Sequence, residues 1–204
     1  MKVTLLGDSI RQQYSEGVKE LLGADFDVWE PSENCRFAKY VLRGLFDWEG
    51  PMADSDIVHW NCGHWDVCRL FGDETFSSVE EYADNMLRIA DILLKRYRKV
   101  IFATTTPVRT NNRFNSNADI DVFNAKLVPL LEKRGVIIND LNSPLRSDVD
   151  KYICDDTIHL TQDGIAVCAE KVAERIKAAA EGIAEKNVKA DTSGEKTVGA
   201  PVLL

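Results

Sequence analysis

Five short apolar runs, each followed by a longer segment with helical periodicity, constrain the fold of this chain more than any other feature. The runs cover residues 2–6, 26–30, 56–61, 99–105 and 135–141. They are rich in β-branched and aliphatic residues and show little polar alternation, which is typical of strands buried on both faces. The segments that follow them have the apolar spacing of amphipathic helices and cover residues 9–22, 36–46, 78–97, 119–133 and 161 to about 180.

This alternation of strand and helix predicts an α/β fold with a parallel sheet. We expect a three-layer α/β/α sandwich with five strands in the flavodoxin-like order 2-1-3-4-5. The length of 204 residues suits one domain, which we place at residues 1–182. Residues 183–204 are mostly polar and lack apolar periodicity, and we expect a mobile C-terminal tail there. A segment that docks on a neighbouring subunit is the alternative interpretation of this tail.

Composition excludes several classes of protein. The 33 acidic and 25 basic side chains give a net charge of −8, which repels phosphate backbones, so we expect no nucleic-acid partner. No apolar stretch approaches the roughly 20 residues of a membrane span, and the N-terminal apolar run is too short for a signal peptide. The five cysteines lie in apolar segments, as reduced thiols do. We therefore expect a cytoplasmic protein without a membrane partner, and a homo-oligomer is compatible with the sequence.

Polar residues follow each of the predicted strands. In an open parallel sheet, ligands bind beyond the carboxyl ends of the strands, so these residues are expected to meet at one edge. Two of the three histidines, His64 and His159, are among them. The segments are Gly7-Asp8-Ser9, Glu33-Asn34-Cys35-Arg36, Asn61-Cys62-Gly63-His64-Trp65-Asp66, Thr105-Thr106-Pro107-Val108-Arg109 and Asp155-Asp156-Thr157-Ile158-His159.

Ser9, Asp156 and His159 together have the chemistry of a nucleophilic triad. A serine hydroxyl becomes a good nucleophile when an imidazole takes its proton, and a carboxylate behind the imidazole holds its tautomer. Gly7 permits a tight turn that places Ser9 at a helix start, where the dipole favours developing negative charge. Taken alone, a serine in this place is more commonly a helix N-cap, and a histidine like His159 more commonly caps the last helix or packs on its first turn. The presence of both motifs at opposite ends of one domain favours the catalytic interpretation.

Three short blocks resemble the SGNH hydrolase superfamily, also called the GDSL esterase/lipase family. They are Gly7-Asp8-Ser9-Ile10, Gly63-His64-Trp65-Asp66 and Asp156-Thr157-Ile158-His159, and the strand–helix order of residues 2–182 agrees with the family. The resemblance implies the α/β/α sandwich and an ester hydrolase that needs no cofactor or metal. It assigns Ser9 as the nucleophile and His159 and Asp156 as the other triad members.

The oxyanion hole departs from the family pattern, because Trp65 stands where the family has a donor asparagine. The candidate donors are the Ser9 and Gly63 backbone N–H groups, the side chain of Asn61, and a backbone or amide donor of the turn at Asn34 and Cys35. The residues that we expect to contact the substrate are Asp8, His64, Trp65 and Arg109.

The resulting hypothesis is a serine esterase that removes a short acyl group, acetyl above all, from a carbohydrate or a similar polar alcohol. The aromatic residues Trp60 and Trp65 near the edge favour a sugar-like scaffold. A thioesterase or lysophospholipase with the same triad is one alternative. A second is a phosphate- or nucleotide-binding domain that uses Gly7-Asp8-Ser9, and a third is a metal site formed by Cys62, His64 and Cys68, with or without Cys35.

Overall fold

A single parallel sheet of five strands forms the centre of the protein. The computed structural model describes the backbone of residues 1–193 and the side chains of residues 1–184, so the end of the expected tail lies outside the described residues. The strand order β2-β1-β3-β4-β5 confirms the predicted topology. The strands are β1 (Lys2–Leu6), β2 (Asp27–Trp29), β3 (Ile57–Asn61), β4 (Lys99–Ala103) and β5 (Ile137–Asn139).

Helices cover both faces of this sheet, which confirms the three-layer sandwich. The four shortest helices, of four or five residues each, were not predicted, because a single turn carries no apolar period. The helices are α1 (Ser9–Leu22), α2 (Ala38–Asp47), α3 (Glu49–Met52), α4 (His64–Val67), α5 (Val79–Arg96), α6 (Asn117–Glu132), α7 (Asn142–Arg146), α8 (Val149–Tyr152) and α9 (Gln162–Ser193).

Two apolar clusters hold the layers together. Helices α1 and α9 pack on one face, around residues such as Tyr14 and Val172, and helices α2, α5 and α6 pack on the other, around Trp60 and Phe123. The strands contribute to both clusters because alternate side chains point to opposite faces, as Leu5 and Leu6 do. Trp60, expected near the substrate, is therefore fully buried core.

Helix α9 is longer than predicted. The apolar spacing indicated an end near residue 180, whereas the helix continues to Ser193. Ile183, the first residue of the expected tail, is buried against the core. The extension is rich in Ala, Glu and Lys, which favour helix without requiring an apolar stripe. Within residues 1–193, no helix combines the length and the apolar character that crossing a membrane requires.

The sheet topology determines where a site can form. Strands β1 and β3 are neighbours, with Leu6 paired to Trp60, and β2 lies on the other side of β1. The strand order therefore reverses between β1 and β3, and the segments that follow these two strands begin on either side of this point. In folds of this kind, the crevice at this point is where ligands bind.

Candidate active site

Ser9 is the first residue of α1, directly beyond the end of β1. Gly7 makes this turn possible, because a Cβ atom there would lie 2.1 Å from Asn61 Oδ1. Asp8 is the N-cap, and its Oδ1 accepts a hydrogen bond of 3.0 Å from the Ile10 N–H. Within the described part of the chain, the Ser9 N–H bonds to no acceptor. The turn thus presents a half-buried hydroxyl and a free N–H at a helix N-terminus.

The structure brings Ser9, His159 and Asp156 into one continuous hydrogen-bonded row. Ser9 Oγ lies 2.9 Å from His159 Nε2, and His159 Nδ1 lies 2.7 Å from Asp156 Oδ2. An ionised carboxylate only accepts hydrogen bonds, so Nδ1 carries the proton of the neutral ring. Nε2 is then the acceptor for the Ser9 hydroxyl. This tautomer leaves a base directed at the serine oxygen.

The carboxylate of Asp156 is held ionised by its own loop. Partial burial acts to raise its pKa, but the hydrogen bonds from His159 outweigh it, and the pKa lies below the ordinary value. Asp156 Oδ1 accepts from the N–H groups of Ile158, at 3.1 Å, and His159, at 3.0 Å. One oxygen therefore shapes the loop while the other binds the imidazole.

The loop that carries these residues is tied to α1. Ile153 and Leu160 form an antiparallel bridge that closes the loop. Gln13, one turn after Ser9, receives the Leu160 N–H at 2.9 Å and donates to the Leu160 carbonyl at 3.3 Å. Nothing in the sequence patterns pointed to Gln13, although its spacing of four residues from Ser9 puts both on one helix face. This pair of bonds connects the helix of Ser9 to the loop of His159.

A pocket of about 380 Å³ opens in front of Ser9 and His159. Its wall is polar near Ser9 and otherwise mainly apolar. Three residues expected at the substrate or the oxyanion, Asn34, His64 and Trp65, line it. The full lining consists of Ser9, Asn34, His64, Trp65, Cys68, Leu70, Phe114, Asn115, Ile158 and His159.

Asn34 lines this pocket and carries an amide that can donate hydrogen bonds. Its Oδ1 accepts the Arg36 N–H at 2.8 Å, which assigns the oxygen and leaves Nδ2 as the other end of the amide. Within the described residues, Nδ2 bonds to no acceptor. The neighbouring Cys35 N–H is already used, because it donates to the Gly7 carbonyl at 3.0 Å. Asn34 Nδ2 is therefore an available donor of the β2–α2 loop.

Asp8 and Asn61 do not line the pocket, contrary to the sequence-based expectation. Asn61 Nδ2 donates to Asp8 Oδ1 at 2.8 Å, and Asn61 Oδ1 accepts from the Tyr14 hydroxyl at 3.1 Å. Both residues are buried, so they support the turn beneath Ser9. Sequence alone could not reveal this, because the partners are distant along the chain.

The Gly63-His64-Trp65-Asp66 block divides between support and pocket wall. Gly63 precedes α4 and is not in the pocket lining; a Cβ there would lie 2.1 Å from Thr105 Oγ1. His64 is buried, and its Nε2 lies 2.8 Å from Thr106 Oγ1. Burial lowers the pKa of His64, which keeps its ring neutral. Trp65 faces the pocket and is 43% exposed.

Asp66 anchors the pocket wall rather than contacting a substrate. Its buried carboxyl group accepts the Ala38 N–H at 3.0 Å, at the start of α2, and the Ser77 hydroxyl at 2.8 Å. Burial raises its pKa to about 6. Because α2 has no side-chain bond from its own N-cap, Phe37, the carboxyl group of Asp66 serves that purpose.

Arg109, expected to bind substrate, is occupied elsewhere. Its guanidinium donates to the carbonyls of Ile153, at 2.8 Å, and Asp150, at 3.1 Å, and to the carboxylate of Asp155 at 2.9 Å. The arginine thus fastens the segment just before Asp156.

Two of the alternative functions are not favoured by the geometry. Among the described residues, no group of three or more His, Cys, Asp or Glu side chains is arranged to hold a metal ion. Cys62 contacts Asp66 and His64 contacts Thr106, rather than each other. At the N-terminus of α1, the carboxyl group of Asp8 already accepts the Ile10 N–H. Because that position is occupied by a carboxyl group, the geometry disfavours a phosphate there.

Comparison with known proteins rests on structure alone. No protein-family profile matches the chain, and no curated protein sequence matches it. The lipase/acylhydrolase from Enterococcus faecalis is 18% identical with a TM-score of 0.75 over 87% of this chain and 95% of that one.

Two further solved structures are similar. An acetylxylan esterase from Geobacillus stearothermophilus is 14% identical with a TM-score of 0.70 over 86% of this chain and 93% of that one. A GDSL-like lipase from Bacteroides thetaiotaomicron is 14% identical with a TM-score of 0.67 over 87% and 88%. The fold is therefore shared: this chain has the α/β/α fold of solved structures named as a lipase/acylhydrolase, an acetylxylan esterase and a GDSL-like lipase, which is the fold that the sequence resemblance implied.

Proposed function

We propose that this protein is a serine esterase that hydrolyses a carboxylic ester through Ser9, His159 and Asp156. The observation that carries the proposal is the row of contacts of 2.9 Å and 2.7 Å that joins residues 150 positions apart in the chain. Such a row activates a hydroxyl toward an acyl carbon. Its position at the sheet's topological switch point, beside a pocket, gives it access to substrate.

In the acylation step, Ser9 Oγ attacks the ester carbonyl carbon while its proton passes to His159 Nε2. The ionised Asp156 stabilises the imidazolium that forms. The bond from carbon to the alcohol oxygen then breaks, and His159 returns the proton to that oxygen. Water then attacks the acyl carbon while the same imidazole takes its proton, the bond from that carbon to Ser9 Oγ breaks, and His159 returns the proton to Oγ, which releases the acid and regenerates Ser9.

The negative charge that develops on the carbonyl oxygen needs donors. The Ser9 N–H, at the N-terminus of α1, and Asn34 Nδ2 are two donors beside the nucleophile that bond to no acceptor among the described residues. This pair takes the place of the family asparagine, whose position Trp65 fills. Donors of this kind each lower the barrier by a few kcal/mol, roughly.

We place the substrate among short-chain, chiefly acetyl, esters of a carbohydrate or another polar alcohol. Polar groups near the serine, Asn34 and Asn115, suit an oxygen-rich leaving group. One of the similar structures is named as an acetylxylan esterase, which agrees with this choice.

A second substrate class, longer acyl esters or thioesters, is supported by the apolar part of the pocket. Trp65, Leu70 and Phe114 line it and are 43%, 49% and 40% exposed, and the adjacent Phe71 is 89% exposed. Such a surface suits an aliphatic chain or an apolar leaving group.

Hydrolysis of 4-nitrophenyl acetate, butyrate and octanoate, and of acetylated xylo-oligosaccharides, tests both statements. We expect Ser9→Ala and His159→Ala to abolish turnover of every ester. Ser147→Ala is the matched control, because Ser147 is exposed and its hydroxyl donates to the Pro144 carbonyl. A serine-reactive phosphonate should label Ser9. Persistence of turnover in Ser9→Ala would refute the nucleophile assignment, and the order of kcat/KM across chain length decides between the two substrate classes.

A further inference from the structure

Thr157, between the two loop members of the proposed triad, has an unusual backbone. Its φ is 75°, in the left-handed region that β-branched residues rarely adopt. This conformation turns the chain so that Asp156 Oδ1 receives the N–H groups of Ile158 and His159. The pairing of Asp156 with His159 therefore depends on a backbone state that threonine does not favour by itself.

Contacts from the β4–α6 loop hold Thr157 in this state. Asn112 Nδ2 donates to Thr157 Oγ1 at 2.8 Å and to the Thr157 carbonyl at 3.4 Å. The Arg109 N–H donates to the same carbonyl at 3.0 Å. We call Arg109, Asn112 and Thr157 the Thr157 clasp.

Asn112 also reaches the pocket wall. Its Oδ1 accepts the N–H groups of Phe114, at 2.9 Å, and Asn115, at 2.7 Å, and both of these residues line the pocket. These two bonds fix the orientation of the amide, so Nδ2 necessarily faces Thr157. One side chain thus joins the wall that meets the substrate to the loop that carries the base.

We infer that Asn112 is a positioning residue for the proposed esterase: it holds Thr157 left-handed and thereby keeps His159 aligned with Ser9. This inference rests on the proposed function of the site. Asn112 does not line the pocket, so its effect is expected in kcat, which reports alignment, more than in KM.

A double-mutant cycle with glycine at position 157 tests the inference. Glycine adopts a φ of +75° without strain and no longer needs the clasp. We expect Asn112→Ala to lower kcat for 4-nitrophenyl acetate by about 10- to 100-fold, the usual cost of small misalignment at a catalytic group. In the Thr157→Gly background, the same substitution should cost less than about threefold, since the strain has been removed.

The rate of Ser9 labelling by a phosphonate should follow kcat through this cycle. Asn111→Ala is the matched control, because Asn111 is exposed and neighbours the clasp without belonging to it. Equal losses from Asn112→Ala in both backgrounds, or a change confined to KM, would overturn the positioning role. If Ser9→Ala retains activity, the proposed function itself fails; if it is inactive and Asn112→Ala is unimpaired, only this inference fails.

Discussion

Replacement of Asp156 by asparagine separates the electrostatic role of the carboxylate from its role in loop structure. Asp156 Oδ1 binds two backbone N–H groups, and an amide oxygen retains those bonds. Oδ2 is the acceptor for His159 Nδ1–H at 2.7 Å, and an amide N–H₂ in that place is a donor. The imidazole must then move its proton to Nε2, the atom that should accept the proton of Ser9.

The expected loss follows from this tautomer exchange. A base with a proton already on Nε2 cannot activate Ser9, and the equivalent change in serine proteases lowers kcat about 10⁴-fold. That factor corresponds to about 5 kcal/mol of transition-state stabilisation. Ser9→Ala should cost more, on the order of 10⁶-fold, because it removes the nucleophile.

The assay is steady-state kcat and KM for 4-nitrophenyl acetate, with the melting temperature measured on the same samples. We expect kcat to fall in Asp156→Asn while the melting temperature changes little, because the Oδ1 bonds persist. Asp156→Ala should melt earlier, since it loses them. A kcat within tenfold of wild type in Asp156→Asn would refute the tautomer argument, as would a loss explained by unfolding.

Two further predictions concern other parts of the site. Asn34→Ala should lower kcat for 4-nitrophenyl acetate about 100-fold with little change in KM, because the donor acts on the transition state; an effect confined to KM would contradict this. The pKa of Asp66 is about 6 in the folded state and exceeds its ordinary value of 3.8. As the pH falls, Asp66 therefore binds a proton in the folded state before it does so in the unfolded state. The contribution of Asp66 to the free energy of unfolding should therefore fall by up to about 3 kcal/mol from pH 4 to pH 6 and then stay level. Urea titrations of wild type and Asp66→Asn should show a difference in the free energy of unfolding that changes by about this amount across the range, and a constant difference would contradict the assignment.

The fold was accessible from the sequence because buried parallel strands leave a direct pattern. The strand predicted at residues 2–6 has the bounds of β1, and the strand predicted at residues 99–105 includes all of β4. The outer strands β2 and β5 are only three residues long, shorter than the apolar runs that predicted them. Each of these outer strands pairs with one neighbour only, β2 with β1 and β5 with β4. The strand therefore ends where its hydrogen bonds to that single neighbour end.

The site was predictable only where chemistry demands particular residue types in a short motif. Ser9, Asp156 and His159 belong to such motifs, and the structure places them together. Asn61 and Arg109 are equally polar and equally near the sheet edge, yet they bind protein groups instead of lining the pocket. Which partner a polar side chain takes depends on three-dimensional neighbours, and for these two residues the neighbours lie more than 40 positions away.

The polar residues that sequence analysis misassigned or missed explain how an open site stays ordered. The side chains of His159 and Asp156 are 38% and 50% exposed, so tight packing does not hold them. Gln13 fixes the chain just after His159, and Arg109 and Asn112 fix it just before. Hydrogen bonds are directional, whereas apolar packing is not. These three side chains therefore set the orientation of the loop, which apolar contacts alone would not do. His159 is thus aligned with Ser9 by hydrogen bonds on both sides of the loop, while the pocket in front of the two residues remains open.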